Sequence, residues 1–254
     1  MKAIEPIWSD KTETANRLRG RIETVLNWAT THNLRTGDNP ARWRGHLENL
    51  LPRRSKVAAV KHFAAMPYDK MAAFMIELQK QDGAAALALQ FTILTAVRTE
   101  QTLGATWDEF DLKGRHWIIP GKRMKAGKDH RVPLSDEATK ILDCIAAVKQ
   151  GKYVFQSNRS DRLSGMAMLM LLRRMGHNGL TVHGFRSSFR DWAAERTNYP
   201  SEIAEMALAH VVGDKVEAAY RRGDLLEKRR HMMTAWAEFC TTVYPTATVI
   251  PLHA

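Results

Sequence analysis

Apolar residues at helical spacing recur along most of this 254-residue chain, with one marked interruption between residues 105 and 134. Three segments there, ATWDEFDL, HWIIP and HRVPL, are short and rich in aromatic and β-branched residues, which is typical of strands. Helices are predicted on both sides of them, at about 69–81, 84–97, 136–149, 164–175, 183–196, 202–209, 215–222 and 225–240. The pattern therefore predicts a mainly α (α+β) fold with a small three-stranded antiparallel sheet.

A separate helical region is predicted ahead of these elements. From Lys11 to about Asn33, one stripe of a long amphipathic helix is apolar, and it consists of Ala15, Leu18, Ile22, Val25, Leu26 and Ala29. Asn39 as N-cap and Pro40 at the first helical position then predict a shorter helix of about three turns.

The segment from Pro52 to Pro67 joins the two regions. It is basic, bracketed by prolines and weakly periodic, which is typical of a connection that crosses a charged partner. We therefore place a domain boundary here, with a partial helical domain at 1–66 and a larger, second domain at 67–254.

The charge balance predicts a polyanionic partner. The chain carries 38 Lys and Arg against 27 Asp and Glu, a formal net charge of +11. Nucleic acid is the commonest such partner, because each Lys or Arg placed on a phosphate releases a condensed counterion. Charge alone leaves ribosomal, membrane-surface and heparin-type partners open.

Several other classes of protein are excluded by the sequence. The longest uncharged run, Gly83 to Val97, is fifteen residues, shorter than the roughly 18 needed to cross a bilayer. Cys144 and Cys240 are too few for a disulfide framework, and the N-terminus has no secretion signal, so we expect a cytoplasmic protein. Neither a metal-ligand motif nor a P-loop is found, so we expect no metal and no cofactor.

A set of polar residues stands where apolar segments would otherwise continue. Each has an ordinary interpretation when taken alone: Arg98 as a helix-end cap, Lys125 as a solvated hairpin tip, and His210 as another cap. His183 and Arg186 share one face of a predicted helix, within reach of a single anion.

Taken in order, these residues resemble a known catalytic set. They resemble the catalytic residues of the tyrosine recombinases, the lambda-integrase class of DNA strand-exchange enzymes. That family carries R, K, H-x-x-R, H and Y in this order, and the matching residues here are Arg98, Lys125, His183, Arg186, His210 and Tyr220. Four segments are similar to integrases of prophages and genomic islands: ILTAVRTEQTLGATWDEFDL, IIPGKRMKAGKDHRVPLS, VHGFRSSFRDWAAERT and MALAHVVGDKVEAAYRRGDLLEKRR. The resemblance runs from about residue 8 to 240, and it implies a partial, SAM-like core-binding domain at 1–66 and a catalytic domain at 67–254.

The chain departs from the family pattern in two places. Gln101 stands where these enzymes usually carry a carboxylate that braces the site, so Arg98 is expected to be held less firmly. About a hundred residues that begin the related integrases do not precede Met1, so the chain resembles an N-terminally shortened integrase.

The resemblance implies a site-specific recombinase that cleaves and rejoins DNA through a 3′-phosphotyrosine intermediate, to integrate or excise a mobile element. Tyr220 is the implied nucleophile of this transesterification, which is similar to that of type IB topoisomerases. The resemblance also implies that Arg98 and Arg186 bind the non-bridging phosphoryl oxygens and that His210 donates to one of them. Lys125 is the implied general acid, with Lys122 and Lys128 as neighbouring candidates. His183 takes the phenolic proton.

The implied partners are a double-stranded DNA attachment site and three further copies of the chain, in a homotetrameric synapse; no membrane is involved. Residues predicted to contact DNA are Arg17, Arg19, Arg21, Arg123 and Lys128. A merely solvated basic face is the alternative for the first three. Arg221 and Arg222 are expected to contact DNA or protein rather than the scissile phosphate.

Two alternative functions stay open. The chain could be an integrase remnant that binds DNA without productive cleavage. It could also relax supercoiled DNA by the same chemistry without strand exchange.

Overall fold

A computed structural model of the chain describes residues 4–53, 57, 64–147, 151–157, 160–210 and 223–242. The chain divides into two compact units, Met1–His62 and Phe63–Ala254. Within the part that the structure describes, no helix is both long enough and apolar enough to cross a bilayer.

The first unit is a small helical body. It contains α1 (Glu5–Trp8), α2 (Thr12–Thr31) and a 3₁₀ turn at Leu47–Asn49. Its core consists of Ile4, Trp8, Ala15, Leu47 and Leu51.

The apolar stripe predicted for α2 is only partly buried. Ala15 lies in the core, whereas Val25 is 63% exposed and Trp28, on a neighbouring position, is 55% exposed. The described core of this unit includes Ala15 from the first turns of α2, and the later positions of the stripe are partly buried or exposed.

The short helix predicted from Asn39 is wrong. The Asn39 side chain accepts a hydrogen bond from the backbone N–H of Ala41 at 2.9 Å, as a helix cap would, but it also donates to the carbonyl of Glu23 at 2.8 Å. The chain then runs through turns, and Gly45 adopts a left-handed conformation with φ +72°. Asn39 therefore fastens a loop to α2 instead of starting a helix.

The second unit surrounds one buried helix with others and with a small sheet. Its helices are α3 (Met71–Gln79), α4 (Ala84–Thr95), α5 (Thr99–Leu103), α6 (Asp136–Ala146), α7 (Ala167–Arg174), α8 (Gly184–Arg196), α9 (Ser201–Ala207) and α10 (Leu226–Thr241). Its strands are β1 (Phe110–Asp111), β2 (His116–Ile119) and β3 (His130–Pro133). The predicted mainly α fold with a three-stranded antiparallel sheet is confirmed.

The strands are joined in sequence order as an antiparallel meander. Trp117 of β2 pairs with Phe110 of β1 on one side and with Val132 of β3 on the other. The first strand is shorter than predicted, because residues 107–109 form a 3₁₀ turn before pairing begins. The connection between β2 and β3 carries Lys125.

Helix α4 is the centre of the core. It packs against α3, α5, α6, α7 and α10, and nearly every residue from Ala86 to Thr95 is buried. A helix enclosed on all sides is apolar all round, which explains the long uncharged run in the sequence.

Helix α4 ends earlier than predicted, and the next helix was not predicted. Ala96 adopts a left-handed conformation with φ +52°, and α5 begins directly after Arg98. Arg98 thus stands at the N-terminal end of α5 rather than capping the C-terminal end of α4. The sharp change of direction leaves this arginine at the edge of the core.

Candidate active site

A cleft of about 650 Å³ opens between the β2–β3 connection, the start of α5 and the residues that follow α9. Three of the predicted catalytic residues line it, namely Arg98, Lys125 and His210. Lys128, His130, Asp224 and Arg229 line it as well.

The backbone at Arg98 is held by Gln101. Oε1 of Gln101 accepts a hydrogen bond from the backbone N–H of Arg98 at 2.7 Å. Gln101 is buried, and its Nε2 lies 2.9 Å from the sulfur of Met124. The glutamine therefore braces the main chain of Arg98, a contact that sequence reasoning missed.

Arg186 is the most deeply buried of the predicted catalytic residues that the structure describes. It lies on α8, is 5% exposed, and donates to the backbone carbonyls of Ala96 and Leu208 at 2.5 and 2.6 Å. Burial, together with the charge of Arg98, lowers the pKa of Arg186 to about 10. The guanidinium still carries its charge at neutral pH, and it ties the end of α4 to the end of α9.

His183 lies at the N-terminal end of α8, one turn before Arg186, and its side chain is exposed. Burial of part of the ring lowers the pKa of His183, and the charges of Arg186, Arg98 and His210 lower it further. The imidazole of His183 therefore interacts electrostatically with three other predicted site residues. They favour the neutral imidazole, which is the form that can accept a proton.

Gly184 allows α8 to begin where it does. A Cβ atom at this position would lie 2.3 Å from the backbone oxygen of Ala64. Ser188, one turn later on α8, donates to the carbonyl of Met66. The start of the helix therefore rests directly on main chain.

His210 follows α9 and lies between a carboxylate and a guanidinium. Its Nδ1 is 2.6 Å from Oε2 of Glu205, and its Nε2 is 3.1 Å from Nη2 of Arg186. Nε of Arg190 binds the other oxygen of Glu205 at 2.5 Å. Although burial raises it, the hydrogen bonds from Arg190 and His210 bring the pKa of Glu205 below its ordinary value.

The lysines of the β2–β3 connection are exposed. Lys122, Lys125 and Lys128 all carry solvated side chains, and the last two line the cleft. Two ammonium groups therefore line the same cleft as His210.

Of the five arginines and lysines predicted to contact DNA, Arg19 and Arg123 form ion pairs in which both partners are largely buried. Arg123 forms an ion pair with Glu109 at 2.5 Å, and Arg19 pairs with Glu23 at 2.6 Å. Arg19 also donates to a backbone carbonyl, that of Ala41. Contact between DNA and these guanidiniums stays a prediction.

The other predicted contacts are more open to solvent. Arg17 pairs with Glu13 at 2.9 Å while 72% exposed, and Arg21 is exposed beside it on α2. Lys128 lies at the cleft. For these three residues, too, DNA contact stays a prediction.

Tyr220, Arg221 and Arg222 lie outside the described residues. The described residues continue from Gly223, and Asp224 is bound firmly: Nε and Nη2 of Arg131 lie 2.8 and 2.7 Å from its carboxylate.

A second arginine, Arg229 of α10, completes this network. It is 1% exposed, lies 2.9 Å from the carboxylate of Asp224, and donates to the carbonyl of Arg131 at 2.5 Å. The network was not predicted, because Arg131 is far in sequence from Asp224 and Arg229 and each residue alone is typical of a surface charge.

His130 is a further cleft residue that sequence reasoning missed. Its Nε2 is buried and has no hydrogen-bond partner among the residues that the structure describes. Burial, followed by the charge of Arg229, lowers the pKa of His130 to about 4. Its ring is therefore neutral at neutral pH.

The site has the chemistry of an anion receptor. Guanidinium, ammonium and imidazole groups line one concave surface or contact its lining, and Arg186 and His210 are held by contacts within the protein before any ligand binds. Such preorganised donors suit the oxygens of a phosphoryl group. In the described ranges, no three His, Cys, Asp or Glu side chains gather as metal ligands would.

Sequence comparisons match two family models. The phage integrase family model matches residues 64–225, and the phage integrase central domain model matches residues 1–46.

Curated relatives are similar over most of the chain. The Escherichia coli prophage integrase IntA is 31% identical over 245 residues, which is 94% of this chain and 57% of that protein. The integrase of Shigella phage Sf6 is 30% identical over 235 residues, covering 89% of this chain and 58% of that protein. The chain therefore spans less than two thirds of the length of these relatives.

Solved structures share the fold. A lambda integrase tetramer bound to a Holliday junction aligns with a TM-score of 0.59 and 17% identity, over 84% of this chain and 63% of that one. The Tn1549 transposon integrase in complex with a circular intermediate DNA aligns with a TM-score of 0.58 and 12% identity, over 83% of this chain and 79% of that one.

Proposed function

The chain belongs to the phage integrase family, and we propose that it is a site-specific tyrosine recombinase that cleaves and rejoins duplex DNA through a 3′-phosphotyrosine intermediate. The observation that carries the proposal is the convergence of the predicted catalytic side chains on one cleft. Arg98, Lys125 and His210 line that cleft, Arg186 contacts His210, and His183 interacts with both arginines. Such a reaction would integrate or excise a mobile element.

The two arginines bind the scissile phosphate. Arg98 and Arg186 donate hydrogen bonds to the non-bridging oxygens, where charge develops in the transition state. Both are placed by the backbone around the end of α4, since Arg186 binds the carbonyl of Ala96 and Gln101 fixes the main chain of Arg98. A preorganised donor of this kind is typically worth ~3 to 4 kcal/mol of transition-state stabilisation.

The chemical step transfers the phosphoryl group from DNA to the protein. The phenolic oxygen of Tyr220 bonds to phosphorus as the bond from phosphorus to the 5′ oxygen breaks, so one phosphodiester replaces another. His183, whose neutral form is favoured, takes the phenolic proton. Lys125 protonates the departing 5′ oxygen, with Lys128 as the neighbouring alternative at the same cleft. The 5′ hydroxyl of a second strand then reverses the step without ATP.

The partners follow from the same proposal. The substrate is a double-stranded attachment site, the unit at 1–66 is a core-binding domain, and the unit at 67–254 carries the chemistry. Four copies assemble on DNA in the synapse, as the Holliday-junction complex of lambda integrase does. The reaction takes place in the cytoplasm and needs no cofactor.

A nicked suicide substrate tests the proposal. A pool of nicked duplexes, tiled across the DNA that flanks the coding sequence, is incubated with the full chain, so that a short 5′-hydroxyl fragment diffuses away after cleavage. We expect a covalent protein–DNA adduct on a denaturing gel that Tyr220→Phe abolishes and that Tyr199→Phe, the matched control, retains.

The same experiment separates the alternatives. Binding without any adduct would support a DNA-binding remnant and refute the proposed cleavage. An adduct together with relaxation of supercoiled plasmid, but no recombinant product, would support relaxation without strand exchange.

A further inference from the structure

Helix α8 carries a third basic residue on the face that presents His183 and Arg186. Arg190 lies one turn after Arg186, and its Nε binds Oε1 of Glu205 on α9 at 2.5 Å. The second oxygen of Glu205 lies 2.6 Å from Nδ1 of His210. A continuous chain of contacts thus runs from Arg190 through the carboxylate and the imidazole back to Arg186.

A bend in the backbone makes this contact possible. Glu205 and His210 are five positions apart, a spacing at which side chains on a straight helix diverge. Ala209 adopts a left-handed conformation with φ +50°, and the backbone N–H of His210 donates to the carbonyl of Glu205 at 2.9 Å. The turn folds His210 back over the end of α9, so that its ring meets the carboxylate.

The contacts define the tautomer of His210. An ionised carboxylate only accepts hydrogen bonds, so Nδ1 of His210 carries a proton. A guanidinium only donates, so Nε2 accepts from Arg186 at 3.1 Å. The nitrogen that points to Arg186 is therefore Nε2, and the nitrogen that anchors the ring is Nδ1.

We propose that Glu205 is the positioning residue of His210: it accepts the Nδ1–H hydrogen bond, fixes the ring orientation and keeps Nε2 beside Arg186, which binds the scissile phosphate in the proposed function. Arg190 holds the carboxylate in place. The inference rests on the proposed function. It adds Arg190 to the His183 and Arg186 pair on α8, and it adds Glu205 to His210 at the end of α9. When Nε2 is protonated it donates to a phosphoryl oxygen, and Glu205 holds the ring in the same orientation.

Rates of adduct formation provide the first test. We expect Glu205→Ala to slow cleavage of the nicked substrate about 10- to 100-fold, which is the usual effect of removing a partner that orients a histidine at a metal site. The dissociation constant for DNA should change less than about twofold. Asp191→Asn, which removes the same charge from the exposed face of α8, is the matched control and should cleave at the wild-type rate.

A double-mutant cycle separates positioning from a general structural effect. If Glu205 acts through the imidazole, the double variant Glu205→Ala/His210→Ala cleaves no more slowly than His210→Ala alone. Losses that multiply, or a Glu205→Ala variant as fast as the wild type, would overturn the proposal.

A nitrogen-15 NMR spectrum of the histidine side chains makes the test independent of activity. The wild type should show His210 as the Nδ1–H tautomer, and Glu205→Ala should lose that signature while Asp191→Asn keeps it. A His210 ring with the same tautomer in all three proteins would refute the role of Glu205. If the wild type forms no adduct yet shows the expected spectra, the proposed cleavage fails and the positioning contact stands.

Discussion

Oε1 of Gln101 accepts a hydrogen bond from the backbone N–H of Arg98 at 2.7 Å. The family resemblance had implied a weaker hold on Arg98, because a carboxylate usually occupies this position. The contact shows that an amide oxygen holds the main chain on which the guanidinium depends.

Replacing Gln101 tests the strength of this brace. Gln101→Ala should lower the free energy of unfolding by about 1 to 2 kcal/mol, because the hydrogen bond is lost in a largely buried setting. Gln101→Glu retains an acceptor oxygen, so its free energy of unfolding should fall by less than that of Gln101→Ala. Urea denaturation measures both. Equal stability of Gln101→Ala and the wild type would contradict a structural role for the hydrogen bond.

Close packing at the start of α8 predicts a strong effect of a single methyl group. Gly184→Ala would place a Cβ atom 2.3 Å from the backbone oxygen of Ala64, so the helix must shift, and we expect a loss of about 1 to 3 kcal/mol. Gly179→Ala is the control, since a Cβ there meets nothing within 4 Å. Thermal unfolding of the two variants compares them, and similar melting temperatures would count against the packing.

The Asp224 network predicts unequal effects of its members. Asp224→Ala leaves the fully buried Arg229 without its carboxylate partner, and we expect a loss of about 3 kcal/mol. The side chain of Arg131 is 45% exposed, so Arg131→Ala should cost about 1 kcal/mol or less. Urea denaturation of both variants measures the difference, and the reverse order of stability would refute the assignment.

The low pKa of His130 predicts a stability that depends on pH. Burial lowers its pKa from 6.5 to about 4, so between these values the unfolded chain binds a proton that the folded chain does not. The neutral ring therefore contributes about 3 kcal/mol to the free energy of unfolding above about pH 6.5, and this contribution is lost as the pH falls towards 4. His130→Asn should remove this part of the dependence.

Urea denaturation at pH 7 and pH 5 measures the effect, with the exposed His231→Asn as the control. The charged groups that face His130 are Arg229, Arg186 and Asp224, and none of them changes in either variant. If His130→Asn and the wild type lose the same stability between the two pH values, the assignment to His130 is wrong.

The sequence predicted the parts of the fold that depend on periodicity. The strands and most of the helices of the second unit follow from apolar spacing, and the five predicted catalytic residues that the structure describes were chosen from their order along the chain. The left-handed residues Ala96 and Ala209 were not predicted, since alanine favours helix and gives no local signal for such a conformation. Yet these two residues direct Arg98 and His210 towards the cleft.

Intramolecular partners also escaped prediction. The pair of Arg19 with Glu23 follows from their (i, i+4) spacing on α2 and was overlooked. Arg123 was interpreted as a DNA contact, and only the fold brings Glu109 against it. Glu205 was overlooked for the same reason, because its distance from His210 depends on a bend that no spacing rule describes.

Identification of the modified residue tests the central claim most directly. The adduct formed on the nicked substrate is digested with nuclease and then with trypsin, and the tryptic peptide from Val216 to Arg221 is analysed by mass spectrometry. We expect this peptide to carry a nucleotide linked through phosphate to Tyr220. A nucleotide on any other residue, or an unmodified peptide from a protein that has cleaved DNA, would contradict it.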